Sequence, residues 1–205
     1  MNIHIEGNIG AGKSTFLRYI EKNDDFNVSQ EPVDEWMNIK SEDGKSLLES
    51  FYEDTQRWSF AFQMNCFITR VHNVKKIPRN GVNFIERSIL SDRIFAKNCY
   101  DNNTMTKIEF DIYSRWSEWL KDKLCDKVDA IIYLRTTPDV SDERIRKRSR
   151  DGESGIPMEY LEQLHNHHDK WLLNEKEIPV LILDANSIKY DENLIKTIKN
   201  FVKLN

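Results

Sequence analysis

Gly7-Asn8-Ile9-Gly10-Ala11-Gly12-Lys13-Ser14 matches G-x-x-x-x-G-K-[ST], and its reading decides the fold. Glycines let the backbone curl until successive N–H groups point at phosphate oxygens, and the helix that follows adds its positive N-terminal end. In this pattern Lys13 reaches the β/γ-phosphates and Ser14 ligates Mg²⁺. A chance glycine turn is the plain alternative. The flanks argue against it: the apolar strand Asn2-Ile3-His4-Ile5-Glu6 precedes, and Ser14-Thr15-Phe16-Leu17-Arg18-Tyr19-Ile20 continues as a helix.

Outward from the loop, Asn83–Glu86, Ala130–Leu134 and Val180–Asp184 read as short apolar strands, with Phe26–Gln30 a weaker one. Such runs suit parallel strands covered on both faces. Alternation with long helical stretches predicts an α/β domain built on a parallel sheet. A helix predicted from Tyr52 to about Lys76 carries Trp58, Phe60, Ala61, Phe62, Met64, Cys66, Phe67, Ile68 and Val71 in nearly every direction. A helix apolar all round is buried on all sides. A second is predicted over Thr104 to Leu124, with Phe110, Ile112, Tyr113, Trp116, Trp119 and Leu120.

Composition narrows the function classes. The 205 residues suit one domain, carry 30 Lys+Arg against 34 Asp+Glu and are 31% charged. A net charge of −4 argues against a protein that wraps nucleic acid. The chain shows neither an apolar run of transmembrane length nor a secretory leader. Cys66, Cys99 and Cys125 are odd in number and widely spaced, and read as reduced thiols of a cytoplasmic protein. His165, His167, His168 and Asp169 read as part of a packed helix rather than a metal site.

The loop alone names no reaction. Neither a D-x-x-G switch nor an N-K-x-D guanine reader occurs, which sets aside a regulatory GTPase. A small P-loop chain without switches points to a kinase of a small molecule. Pro32 biases Glu31 toward extended backbone, so Glu31 sits where a strand leaves the sheet, and Glu86-Arg87 occupies the matching place after the next strand. A kinase acting on an alcohol needs such a carboxylate to orient the hydroxyl and accept its proton. Loop capping and surface ion pairs are the alternatives for these three residues. Arg144-Ile145-Arg146-Lys147-Arg148-Ser149-Arg150 places five cations in seven positions ahead of Gly152 and Gly155. Flanking acids dilute a nucleic-acid field, and beside a phosphate loop this segment reads as a movable lid, about residues 144–155 of a single domain 1–205.

These motifs, with Glu31-Pro32-Val33, Tyr52, Arg57-Trp58-Ser59-Phe60, Phe62-Gln63, Glu86-Arg87-Ser88 and Gly155-Ile156-Pro157 with Glu159-Tyr160-Leu161, run in order from residue 1 to about 185 and resemble the deoxyribonucleoside kinases. The resemblance implies a five-stranded parallel sheet flanked by helices, with an arginine-rich lid. It implies transfer of a phosphoryl group from ATP, with Mg²⁺, to the 5′-hydroxyl of a deoxynucleoside, and a homodimer.

By the same resemblance Gly7, Asn8, Gly10, Ala11, Gly12, Lys13, Ser14 and Thr15 hold the donor with Arg144 and Arg148, and Ser14 and Glu86 hold the metal. Glu31 is the general base, Arg87 holds it and the 5′-oxygen, and Lys13, Arg148 and Arg150 act on the phosphoryl group. Tyr52 and Glu153 bind the sugar 3′-hydroxyl, Trp36 and Phe62 pack on the base, and Gln63 reads its edge. Arg70 and Asp92 stand where members preferring deoxycytidine or purines carry such a pair, which implies a preference over thymidine. The family has one more residue between Asp92-Arg93 and its phenylalanine than the stretch ending at Phe95. A thymidine-accepting kinase, a nucleoside monophosphate kinase and a non-catalytic nucleotide-binding protein are the alternatives.

Overall fold

The computed structural model describes residues 1–23, 26–78, 80–124 and 127–204, leaving aside the side chains of Asn23, Leu124 and Ser154. Five strands form one sheet in the order β2-β3-β1-β4-β5. They are β1 (Asn2–Glu6), β2 (Asn27–Ser29), β3 (Asn83–Glu86), β4 (Ala130–Arg135) and β5 (Val180–Asp184). Every pairing is parallel, with β1 between β3 and β4. The weak strand is thus shorter than its sequence suggests, and β4 runs one residue longer.

Strand alternation assigns each face. Ile3, Ile5, Ile132 and Leu134 pack on Phe16, Leu17 and Ile20 of α1 (Lys13–Asn23) and on Leu194 and Ile198 of α9 (Glu192–Leu204). Ile131 and Tyr133 turn the other way, onto Leu172 of α8 (Met158–Leu172). A second core joins α2 (Val33–Asn38), α3 (Leu47–Glu53), α4 (Thr55–Val74), α5 (Ile89–Asp101) and α6 (Lys107–Leu124) around Phe51, Phe62, Phe67 and Tyr113. The remaining helix, α7 (Pro138–Arg148), follows β4.

Local chemistry sets the breaks that periodicity misses. The helix expected from Tyr52 is two helices, because the Asp54 side chain accepts from the Arg57 N–H and caps α4. α3 starts with a capping box between Ser46 and Glu49. Thr106 and Glu109 exchange bonds of the same kind, so α6 starts after Thr106 rather than at Thr104. Nor is α4 buried all round. Phe62, Cys66, Phe67 and Val71 are buried, while Ile68 is 52% exposed. On α6 Ile108, Ile112, Trp116 and Trp119 are exposed as well. Among the described residues these apolar stripes have no cover to match their hydrophobicity.

Cys66 and Cys99 are buried free thiols, and Cys125 lies outside the described residues. His168 is buried and its Nδ1 bonds the Leu164 carbonyl, while His165 bonds the Thr136 carbonyl. Among the described residues no helix is long and apolar enough to cross a membrane.

Candidate active site

The glycine loop leaves β1 and feeds α1 at the carboxyl end of the sheet. Gly7 (φ +148°) tolerates no side chain, since a Cβ would lie 2.7 Å from the Leu134 carbonyl of β4. Gly7→Ala is expected to destabilise the fold by roughly 1–3 kcal/mol. A urea midpoint equal to the parent's would contradict that. Lys13 Nζ donates to the carbonyls of Asn8 (2.8 Å) and Gly7 (3.3 Å). Burial, then the charge of Arg87, lowers the Lys13 pKa to about 7. An incoming polyanion reverses both effects and favours the ammonium form.

Not every residue of the loop points into the cradle. Asn8 is buried and donates Nδ2–H to the Leu161 carbonyl of α8 (2.9 Å), tying the loop to that helix. Thr15 is exposed and accepts from Arg18 (3.3 Å). Ala11 is buried, and its carbonyl and that of Ala185 accept from Arg144 at 3.4 and 2.8 Å. Arg144 therefore clasps the loop to the end of β5.

Beside the loop, three carboxylates meet three cations. Ser14 Oγ donates to the Glu86 carboxylate at 3.1–3.2 Å. Glu31 stands past β2 and accepts on Oε1 from Arg70 (2.7 Å) and Arg87 (3.3 Å). Among the described residues none engages Oε2. Burial works to raise the Glu31 pKa, but Arg70, Arg87 and Lys13 outweigh it and hold the carboxyl at about 2. Arg70 also bonds Asp92 (2.7 Å) and the Glu86 carbonyl (3.2 Å). Arg87 donates to the Gly7 carbonyl (2.9 Å) and lies over the Phe95 ring at 4.6 Å. Phe95 thus keeps a place at the cleft despite the shortened segment before it.

Aromatic side chains wall the rest of the cleft. Trp36 meets Phe62 edge-on at 5.6 Å, and Phe62 stacks on Phe51 at 4.4 Å and 12°. Trp36 is fixed by its Nε1–H bond to Thr69 (2.9 Å). Gln63 is 3% exposed, and its amide nitrogen lies 3.9 Å from Cys99 Sγ. Tyr52 is held neutral by burial and by the nearby Glu153 charge, both of which raise its pKa. Glu153 is 4% exposed and accepts from both Arg148 and Arg150, the latter at 2.8 Å. α7 ends in the left-handed Ser149, which turns the chain back toward this carboxylate. Gly152 is a close-packing position: a Cβ there would lie 2.9 Å from Glu49 Cα.

One concave surface thus joins a phosphate cradle, a carboxylate held by arginines and an aromatic slot. A deoxynucleoside kinase family model matches residues 3–203. The chain belongs to the deoxynucleoside kinase family. It is 39% identical to mouse deoxycytidine kinase over 98% of this chain and 90% of that protein. It is also 39% identical to a probable deoxycytidine kinase of fowlpox virus, over 90% of this chain and 77% of that protein. Human mitochondrial thymidine kinase 2 is 35% identical over 89% of this chain and 70% of that protein.

This deoxynucleoside kinase is an ATP-dependent phosphotransferase with a nucleoside acceptor. Its cleft brings together Lys13, Ser14, Glu31, Trp36, Tyr52, Phe62, Gln63, Arg70, Glu86, Arg87, Asp92, Arg148, Arg150 and Glu153. Sequence reasoning missed Phe51, Tyr160 and Arg18, which also line it. Phe51 neighbours Tyr52 on α3, just ahead of the helix predicted from Tyr52, and its stack with Phe62 crosses from α3 to α4.

Proposed function

We propose that the kinase transfers the ATP γ-phosphoryl group to the 5′-hydroxyl of deoxycytidine or a purine deoxynucleoside, in preference to thymidine. The observation that carries the catalytic half is Glu31, ionised and held by Arg70 and Arg87 beside the loop that carries Lys13. Its free oxygen accepts the hydroxyl proton and fixes the nucleophile's direction. A carboxylate with so low a pKa is a weak proton sink, so it chiefly orients the hydroxyl and takes the proton late, as a loose phosphoryl transition state permits. Arg87 steadies the carboxylate and the 5′-oxygen. Lys13 holds the β- and γ-phosphates, with Arg148 and Arg150 brought in by a lid over residues 144–155.

Ser14 Oγ and the Glu86 carboxylate form a compact set of hard oxygen donors at the cradle, which fits Mg²⁺. Bound there, the ion supplies neutralisation of charge on the β- and γ-phosphate oxygens. Tyr52 and Glu153 receive the sugar 3′-hydroxyl, while Trp36 and Phe62 enclose the base over Gln63.

The base preference rests on Arg70 and Asp92, a pair at 2.7 Å whose side chains are each 3% exposed. Such a pair presents polar atoms at the far edge of the base and leaves no apolar room for a 5-methyl group. Similarity to proteins named deoxycytidine kinase supports the same reading. A panel of the four deoxynucleosides with ATP-Mg²⁺ tests it. Thymidine is expected to have a kcat/KM at least about tenfold below the best substrate. Thymidine ranking first would overturn the assignment.

We also propose one cytoplasmic domain that pairs as a homodimer. Exposed Ile108, Ile112, Trp116 and Trp119 on α6 and Ile68 on α4 form the kind of apolar surface that marks an interface. Light scattering at micromolar concentration is expected to give twice the 24.3 kDa chain mass. A stable monomer would contradict the dimer.

A further inference from the structure

β1 alternates Ile3 and Ile5 with His4 and Glu6. The isoleucines face α1 and α9. His4 and Glu6 point to the opposite face and are 4% and 0% exposed. Their register partners on β4 are Ile131 and Tyr133. Burying two ionisable side chains on adjacent inward positions of a central strand is unfavourable unless each is bonded to a purpose.

Both bonds fall on one target. His4 Nδ1 bonds the Arg87 carbonyl at 3.0 Å, and Glu6 Oε1 accepts from the Ser88 N–H at 2.7 Å. The Arg87 N–H donates to the Ile5 carbonyl at 2.9 Å. β1 therefore grips the backbone on both sides of the Arg87 Cα. That backbone is left-handed (φ +60°), a conformation that a residue with a side chain rarely adopts. It sends the Arg87 side chain back to the Gly7 carbonyl and Glu31.

We infer that Glu6 and His4 are positioning residues for phosphoryl transfer, holding the Arg87–Ser88 turn so that the guanidinium meets Glu31. Burial raises the Glu6 pKa against the pull of Ser88 and Arg87, and its Oε2 has no partner among the described residues. The group thus serves Ser88 as an acceptor through a single oxygen. A glutamine offers the same oxygen in the same volume.

The inference rests on the reading of Arg87 as catalytic, and a double-mutant cycle separates the two. Steady-state rates are measured for Glu6→Leu, Glu6→Gln and His4→Leu, each with Arg87 intact and with Arg87→Ala. With Arg87 intact, Glu6→Leu is expected to lower kcat about ten- to a hundredfold, with KM for both substrates within about threefold. Glu6→Gln should restore most of the rate, and the Glu6→Leu loss should vanish in Arg87→Ala. His4→Leu follows the same pattern and decides the matter where Glu6→Leu does not fold. A loss of equal size in both backgrounds, or none with Arg87 intact, would overturn the positioning role. If Arg87→Ala itself keeps full turnover, the catalytic reading of Arg87 falls and this inference with it.

Discussion

Glu31→Gln lowers kcat by about 10²–10⁴-fold, while the dissociation constant for deoxycytidine measured by calorimetry stays within about threefold. Glutamine keeps the shape and one oxygen for Arg70, which bonds Glu31 at 2.7 Å, so the cleft holds its form. It removes the negative charge that Arg70 and Arg87 stabilise, and its amide nitrogen cannot receive a proton. Binding that survives while turnover collapses separates a kinase from a non-catalytic nucleotide-binding protein. Turnover within about tenfold of the parent would remove Glu31 from the chemistry.

Arg150→Ala lowers kcat by about 10³-fold or more, on the scale of a cation delivered to a transferring phosphoryl group. KM for ATP is expected to change less than about fivefold, since the interaction forms in the transition state rather than on binding. The geometry gives the reason. Arg150 and Arg148 share Glu153 in the structure described here, and each side chain is about a third exposed. They stand at the cleft, held by a carboxylate that is itself buried, which is where the proposed phosphoryl transfer needs them. A raised KM for ATP with kcat unchanged would instead assign Arg150 to ground-state binding of ATP.

The sequence made the phosphate loop legible because its spacing has a single mechanical use. The place of Glu31 past β2 is legible by the same kind of logic, from a proline that straightens the chain at a strand end. The strands were found because apolar runs of their length suit a sheet covered on both faces. What stayed hidden depends on side chains meeting across elements. Asp54 is an ordinary polar residue until its carboxylate caps α4 and cuts one predicted helix into two. Phe51 looks like core until it stacks on Phe62 across that cut. His4 and Glu6 read as the polar half of an alternating strand, with nothing local to show that they grip a turn more than 80 residues away. The all-round apolar wrap of α4 differs from its burial for the opposite reason: composition shows hydrophobicity but not whether this chain supplies the cover.

Arg70 joins Asp92, Glu31 and the Glu86 carbonyl in one guanidinium. Under the proposed function, its three bonds would tie nucleobase choice and reaction speed to one side chain. A lineage or an engineer altering position 70 also leaves Glu31 with Arg87 as its one remaining guanidinium partner among the described residues. Asp92 offers the gentler route, because its removal leaves the guanidinium still moored at the other two points.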